Sequence, residues 1–169
     1  SLDNDINTPL LVGVALLLVA TAGWIDDHGG LRARYRFIAH CVAGSLLLMP
    51  VLGGVSSIAA MLATPGWEVL ILFGTIALAL LLAVVWSINL HNFMDGIDGL
   101  LASQSIFVFS ALAGIGLVFG SSTWWTAALA TSAAVAGFLP FNFPKARVFM
   151  GDVGSGALGL LVAVAVLYQ

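Results

Sequence analysis

Apolar residues run along this chain in long blocks, with polar and charged residues gathered between them. Six blocks of about 16 to 20 residues predict helices that cross a membrane, at 9–25, 37–52, 69–88, 100–119, 124–141 and 153–168. No block shows the period-2 alternation of a half-buried strand. The intervening stretch 53–68 has Gly, Ser and Pro punctuation and reads as a connector at the membrane interface, with "IAAMLA" lying flat. The expected fold is therefore all-α: a polytopic membrane helical bundle of about six spans, with no separate soluble domain.

Composition agrees. The 169 residues are 61% hydrophobic and 8% charged, against roughly 25% charged in a soluble domain. A soluble chain of this size could not hide so much apolar surface, so the solvent is a lipid bilayer. The net charge is -3 with no basic tract, which argues against nucleic acid as a partner. A single cysteine, Cys41, excludes an internal disulfide and a cysteine metal cluster. It reads as a small core residue.

Charge orients the bundle. Arg32, Arg34 and Arg36 follow the first span, and Lys145 and Arg147 precede the sixth. With six spans these two loops share one side with the loop after span three. Asp3, Asp5 and Glu68 fall on the other side. The positive-inside rule makes the basic side cytoplasmic.

Three acidic clusters meet on that side: "GWIDDHGGLRARYRF" with Asp26 and Asp27, "NLHNFMDGIDGL" with Asp95 and Asp98, and "VFMGDVGSGALG" with Asp152. Each has a bland explanation. Asp26 and Asp27 could end a helix among headgroups. Asp95 and Asp98, three apart, would share a helix face and repel, and a turn would explain Gly96 and Gly99 without explaining both acids. Asp152 could cap the last span. His40 reads as a structural hydrogen-bonder, and His91 as a residue facing the headgroups. The joint occurrence of the acids is harder to dismiss, because ionisable groups near a bilayer are costly to keep. Several on one face imply a cation among them.

Carboxylates beside amide oxygens suit a hard cation, Mg²⁺ or Mn²⁺, which usually keeps positions open for phosphate oxygens. The basic residues supply phosphate contacts as readily as they supply the positive-inside signal. Gly151, Gly154 and Gly156 beside a helix N-terminus also suit an anion. Residue chemistry thus points to a metal-dependent enzyme acting on phosphates at the cytoplasmic face. A cation-coupled transporter is the alternative, but it predicts acids near span midpoints. An inactive membrane scaffold of the same fold is a third reading.

"DDHGGLRARYR", "NLHNFMDGIDGLLA" and "FMGDVGSGALG", in that order over nearly the whole chain, resemble the polyprenyl-phosphate N-acetylhexosamine-1-phosphate transferases. That superfamily includes phospho-N-acetylmuramoyl-pentapeptide transferase, and the chain is most similar to its O-antigen-initiating branch. The resemblance implies transfer of a sugar 1-phosphate from a UDP-amino sugar to undecaprenyl phosphate, with release of UMP, at the bacterial inner membrane. It also implies roles. Asp152 would be the principal Mg²⁺ ligand, with Asp95 and Asp98 also at the metal. Asp26 and Asp27 would lie beside the lipid phosphate, one as a base or as a covalent nucleophile. Asn89, Asn92, Asp95 and Asp98 would shape the nucleotide-sugar pocket, Phe149 would carry the uracil, and Arg36 would contact the lipid phosphate. The superfamily has about ten spans, an N-terminal glycine-rich motif and a late histidine-bearing loop, so the expectation is a single catalytic region, 1–169, from the centre of a longer protein. The superfamily also admits a homodimer, for which the small residues here are too common to argue.

Overall fold

The computed structural model describes residues 7–61, 66–119 and 122–168. It contains six helices: α1 (Asn7–Gly29), α2 (Ala33–Met61), α3 (Trp67–Met94), α4 (Leu100–Phe119), α5 (Ser122–Asn142) and α6 (Gly151–Tyr168). Among the described residues there is no strand. Several helices outrun the apolar blocks that predict them, because hydropathy marks the lipid-facing length while the backbone ladder continues into the interface. The extra turns matter: α1 carries Asp26 and Asp27, and α3 carries Asn89 and Asn92. The connector expected at 53–68 is helical as far as Met61, as part of α2, and 62–65 lie outside the described residues.

Helices α1, α2, α3 and α6 close a four-helix ring, each packed on two of the others. Its core is Ala15 and Val19 of α1, Ala43 and Leu47 of α2, Val84 and Ile88 of α3, and Leu160 and Val164 of α6. In lipid there is little hydrophobic gain in bringing helices together, so close packing of small residues does the work. The contact between α3 and α6 depends on Gly159. A Cβ there would stand 2.7 Å from both the Ile88 Cα and the Ser87 carbonyl oxygen. Through the gap the Ser87 hydroxyl donates to the Gly159 carbonyl at 2.7 Å.

The remaining helices, α4 and α5, form an antiparallel hairpin against the flank of α6. Leu101, Phe109, Ala128, Val135 and Leu158 make its apolar contact. The Ser110 and Ser132 hydroxyls meet at 2.8 Å, and Asn142 reaches Gly99 at the far end. Outward positions along the helices stay apolar: Leu17, Leu70, Ile71, Phe107 and Val118 are all exposed. That is the surface a bilayer requires.

Five of the six helices are long and apolar enough to cross a membrane. The expectation of six differs at α5, whose Ala, Ser and Thr dilute its hydropathy. Its pairing with α4 from Gly99–Asn142 through Ser110–Ser132 nevertheless gives it the same reach as α4.

Candidate active site

One end of the four-helix ring collects the C-termini of α1 and α3 and the N-termini of α2 and α6. Most of the polar residues predicted for chemistry meet there: Asp26, Asp27, Arg36, Asn92, Asp95 and Asp152. Arg36, near the start of α2, sets its Nη1 2.5 Å from Asp26 Oδ2 and 3.3 Å from Asp152 Oδ2. The other oxygen of Asp152 accepts a short hydrogen bond from the Asn92 side-chain amide. The same amide donates to the Ser155 hydroxyl at 3.2 Å. Asp26 Oδ1 accepts the Leu31 N–H at 2.7 Å, which folds the α1–α2 turn back over the helix end. Residues of α2 and α3 thus contact the Asp152 carboxylate on α6, and Asp26 of α1 joins them through Arg36.

Asp27 and Asp95 take a different place. Asp27 Oδ1 accepts the Asp152 N–H at 3.1 Å. Asp95 Oδ2 accepts the Gly151 N–H at 2.9 Å, and its Oδ1 accepts the Met150 N–H at 3.3 Å. These are N–H groups at the start of α6 that have no partner within the helix. The helix N-terminus expected to attract a substrate anion is therefore occupied by the protein's own carboxylates. Gly151 makes this possible with φ +68°, and a Cβ there would stand 2.8 Å from Asp27 Oδ2. Burial pushes the Asp95 carboxyl up, as do the nearby charges of Asp152 and Asp27, while the two N–H groups draw it down.

Asp98 does not join the cluster. Helix α3 ends at Met94, so Asp95 and Asp98 do not share a helix face; they occupy the turn before α4, Asp95 only 8% exposed and Asp98 exposed. Asn89 lies one turn inside Asn92. Its amide nitrogen donates to the Val85 carbonyl at 2.7 Å and faces His40 Nδ1 at 3.2 Å. With its second hydrogen directed at His40, that ring nitrogen stands as the acceptor. Phe149 is exposed beside a cavity of about 390 Å³ lined also by Val135, Phe138, Met150 and Leu158. His91 departs from expectation: it is buried, at 3% exposure, with Nδ1 on the Ser87 carbonyl at 2.8 Å and Nε2 without a partner.

The donor set bears on a metal. Asp26 and Asp152 already converge on a cation, the Arg36 guanidinium. One or two carboxylates completed by substrate phosphate are what Mg²⁺ ordinarily takes, so this pair fits such an ion. Among the described residues no group of three or more His, Cys, Asp or Glu side chains is arranged to hold a metal.

Residues 9–169 match the family described as Glycosyl transferase family 4. The chain belongs to that family. A phospho-N-acetylmuramoyl-pentapeptide-transferase of Heliobacterium modesticaldum is 36% identical over 167 residues, covering 94% of this chain and 51% of the relative. A decaprenyl-phosphate N-acetylglucosaminephosphotransferase of Mycobacterium tuberculosis is 35% identical over 167 residues, covering 90% and 41%. A second phospho-N-acetylmuramoyl-pentapeptide-transferase, from Geobacillus kaustophilus, is 35% identical over 182 residues, covering 95% and 55%. The chain spans about half the length of the curated relatives it matches.

In this family 4 chain two site residues escape a reading of the sequence. Asn142 is buried and links distant segments: its Oδ1 accepts the Gly99 N–H at 2.9 Å, and its Nδ2 donates to the Val148 carbonyl at 3.0 Å. It ties the loop carrying Phe149 to the turn carrying Asp98. Ser155 donates to the Gly151 carbonyl at 2.8 Å and receives Asn92. Asn142 stands at the end of an apolar block, where a polar residue is ordinary and its bonds are not legible. Ser155 carries no signal either, since serine is common in helices of small residues.

Proposed function

We propose that the protein transfers an N-acetylamino-sugar 1-phosphate from a UDP-sugar to undecaprenyl phosphate, releasing UMP, at the cytoplasmic face of a bacterial inner membrane. The product would begin a cell-surface polysaccharide such as O-antigen. The observation that carries this reading is the convergence of Asp26 and Asp152 on the Arg36 guanidinium at one end of the bundle. Family membership supports it, as do relatives whose names specify a decaprenyl-phosphate and N-acetylated sugar phosphates.

Phosphoryl transfer is largely positioning and charge stabilisation. Bound Mg²⁺ or Mn²⁺ would neutralise charge on the transferring phosphate. Asp152, with Asp26 beside it, would hold that ion. Arg36 would contact the lipid phosphate, and Asn92 fixes the Asp152 carboxylate. Asp27 and Asp26 would receive the attacking lipid phosphate. Phe149 and its cavity suit a flat ring such as uracil. Placement of these acids at helix ends favours transfer over cation-coupled transport, which needs them deeper in the membrane.

The test is Asp152→Asn in the protein produced from its complete gene. Mg²⁺-dependent UMP release with undecaprenyl phosphate should fall by about 100-fold or more, with membrane insertion unchanged. Retained activity in that variant removes Asp152 from the metal; no UMP release by the unmodified protein removes the transferase reading.

A further inference from the structure

We propose that Asp95 is a positioning residue and not a metal ligand: its carboxylate caps α6 from a neighbouring helix and so sets the Asp152 side chain in the site. Helices are ordinarily capped by a Ser, Thr, Asp or Asn just before the first turn. Here the chain offers Met150 and Gly151, neither with an acceptor side chain. The missing acceptors come from α1 and from the end of α3. Three successive N–H groups, of Met150, Gly151 and Asp152, go to Asp95 and Asp27. Asp95 uses both of its oxygens on two of them.

The charge is suited to the place, since a carboxylate at a helix N-terminus is favoured by the exposed N–H groups and the helix dipole. It is also held on its own side. The Asp95 N–H lies 3.2 Å from the His91 carbonyl and 3.3 Å from the Asn92 carbonyl, closing the end of α3. One residue therefore terminates α3 and begins α6. Asn92, one turn earlier on α3, is the partner of Asp152. The cap and the Asn92–Asp152 bond together fix the register of the two helices: the Asp95 oxygens turn to backbone N–H groups, whereas the Asp152 carboxylate faces a cation, Arg36.

A metal ligand and a cap differ in what they do without metal. A ligand contributes stability only through the bound ion, whereas a cap contributes always. Thermal unfolding of Asp95→Ala and Asp95→Asn, in the protein from its complete gene, would be measured in EDTA and in saturating Mg²⁺. The cap predicts that the alanine variant loses about 2–6 °C and that the loss is the same in both conditions. Asparagine, which keeps one acceptor for Gly151, should lose less. The positioning step rests on the transferase reading. It predicts that Asp95→Asn lowers kcat for UMP release by about 10- to 100-fold, below the unfolding temperature. KM for the UDP-sugar should stay within about twofold, an effect that a purely structural role would not produce. A stability loss seen only with Mg²⁺, or a raised KM with kcat unchanged, overturns the proposal. An EDTA-independent loss in a protein whose unmodified form releases no UMP upholds the cap and overturns the transferase reading instead.

Discussion

At the scale of the residue, the acids of this chain divide by what they bond. Asp26 and Asp152 share a guanidinium, Asp27 and Asp95 receive backbone N–H groups, and Asp98 is exposed in its turn. His91 illustrates a different case, a motif residue buried in the bundle. Its Nδ1 donates along its own helix to the Ser87 carbonyl, and its Nε2 is buried without a hydrogen-bond partner. Phenylalanine gives up that one hydrogen bond, worth about 0.5–1.5 kcal/mol net, and removes the buried unpaired nitrogen. His91→Phe should therefore change unfolding stability by no more than about 1 kcal/mol and leave UMP release within a few-fold. A tenfold loss of activity with intact folding would show that Nε2 serves the reaction. The sequence motifs were enough to bring Asp26, Asn92 and Asp152 to one place. They could not assign Asp95, because its partners are backbone groups 55 and 56 residues away. A sequence shows which residues can accept a proton bond, but not which distant N–H lacks a partner.

At the scale of the element, hydropathy locates the helices and understates their length. The block at 100–119 coincides with α4. In contrast α3 continues past Ile88 to Met94, and this added length presents Asn89 and Asn92 to the site. Helix packing is set by residues that hydropathy scarcely weighs. Gly159 and Gly114 are both helical glycines, yet only Gly159 faces a neighbouring backbone. A methyl group at Gly159 would meet the Ile88 Cα and Ser87 oxygen at 2.7 Å, and backbone atoms cannot yield cheaply. Gly159→Ala should destabilise the protein by about 1–3 kcal/mol, the usual range for overpacking, and reduce UMP release by separating Asn92 from Asp152. Gly114 has nothing within 4 Å of an added Cβ. Gly114→Ala should accordingly stabilise by about 0.5–1 kcal/mol through backbone entropy. Thermal unfolding in detergent measures both, and equal shifts of the two variants would mean that α3 and α6 are not in close contact.

At the scale of the whole molecule, the antiparallel order of the six helices decides which loops share a side. Helix α1 ends at the site, α2 leaves it, α3 returns, and the α4–α5 hairpin goes out and back before α6 starts there. The weak hydropathy of α5 would upset this count if the helix did not cross, since one lost span reverses every later loop. The pairing of Asn142 with Gly99 answers that point, because it returns the chain after α5 to the level at which α4 began. Arg32, Arg34, Lys145 and Arg147 then lie on the site side, while Glu68 lies at the far end of α3. An excess of Lys and Arg at one end is what the positive-inside rule uses to orient a bundle. Labelling can test this in intact cells, in a background where Cys41 and any further cysteine of the complete gene are replaced by serine. A cysteine at Lys145 should be blocked only by reagents that enter the cell, and one at Trp67 should be blocked by an impermeant maleimide added outside. The same labelling pattern at both positions would place α3, α4 and α5 in the wrong topology. The reverse pattern would turn the aspartate cluster to the outside, away from cytoplasmic nucleotide sugars, and with it would go the transfer reaction.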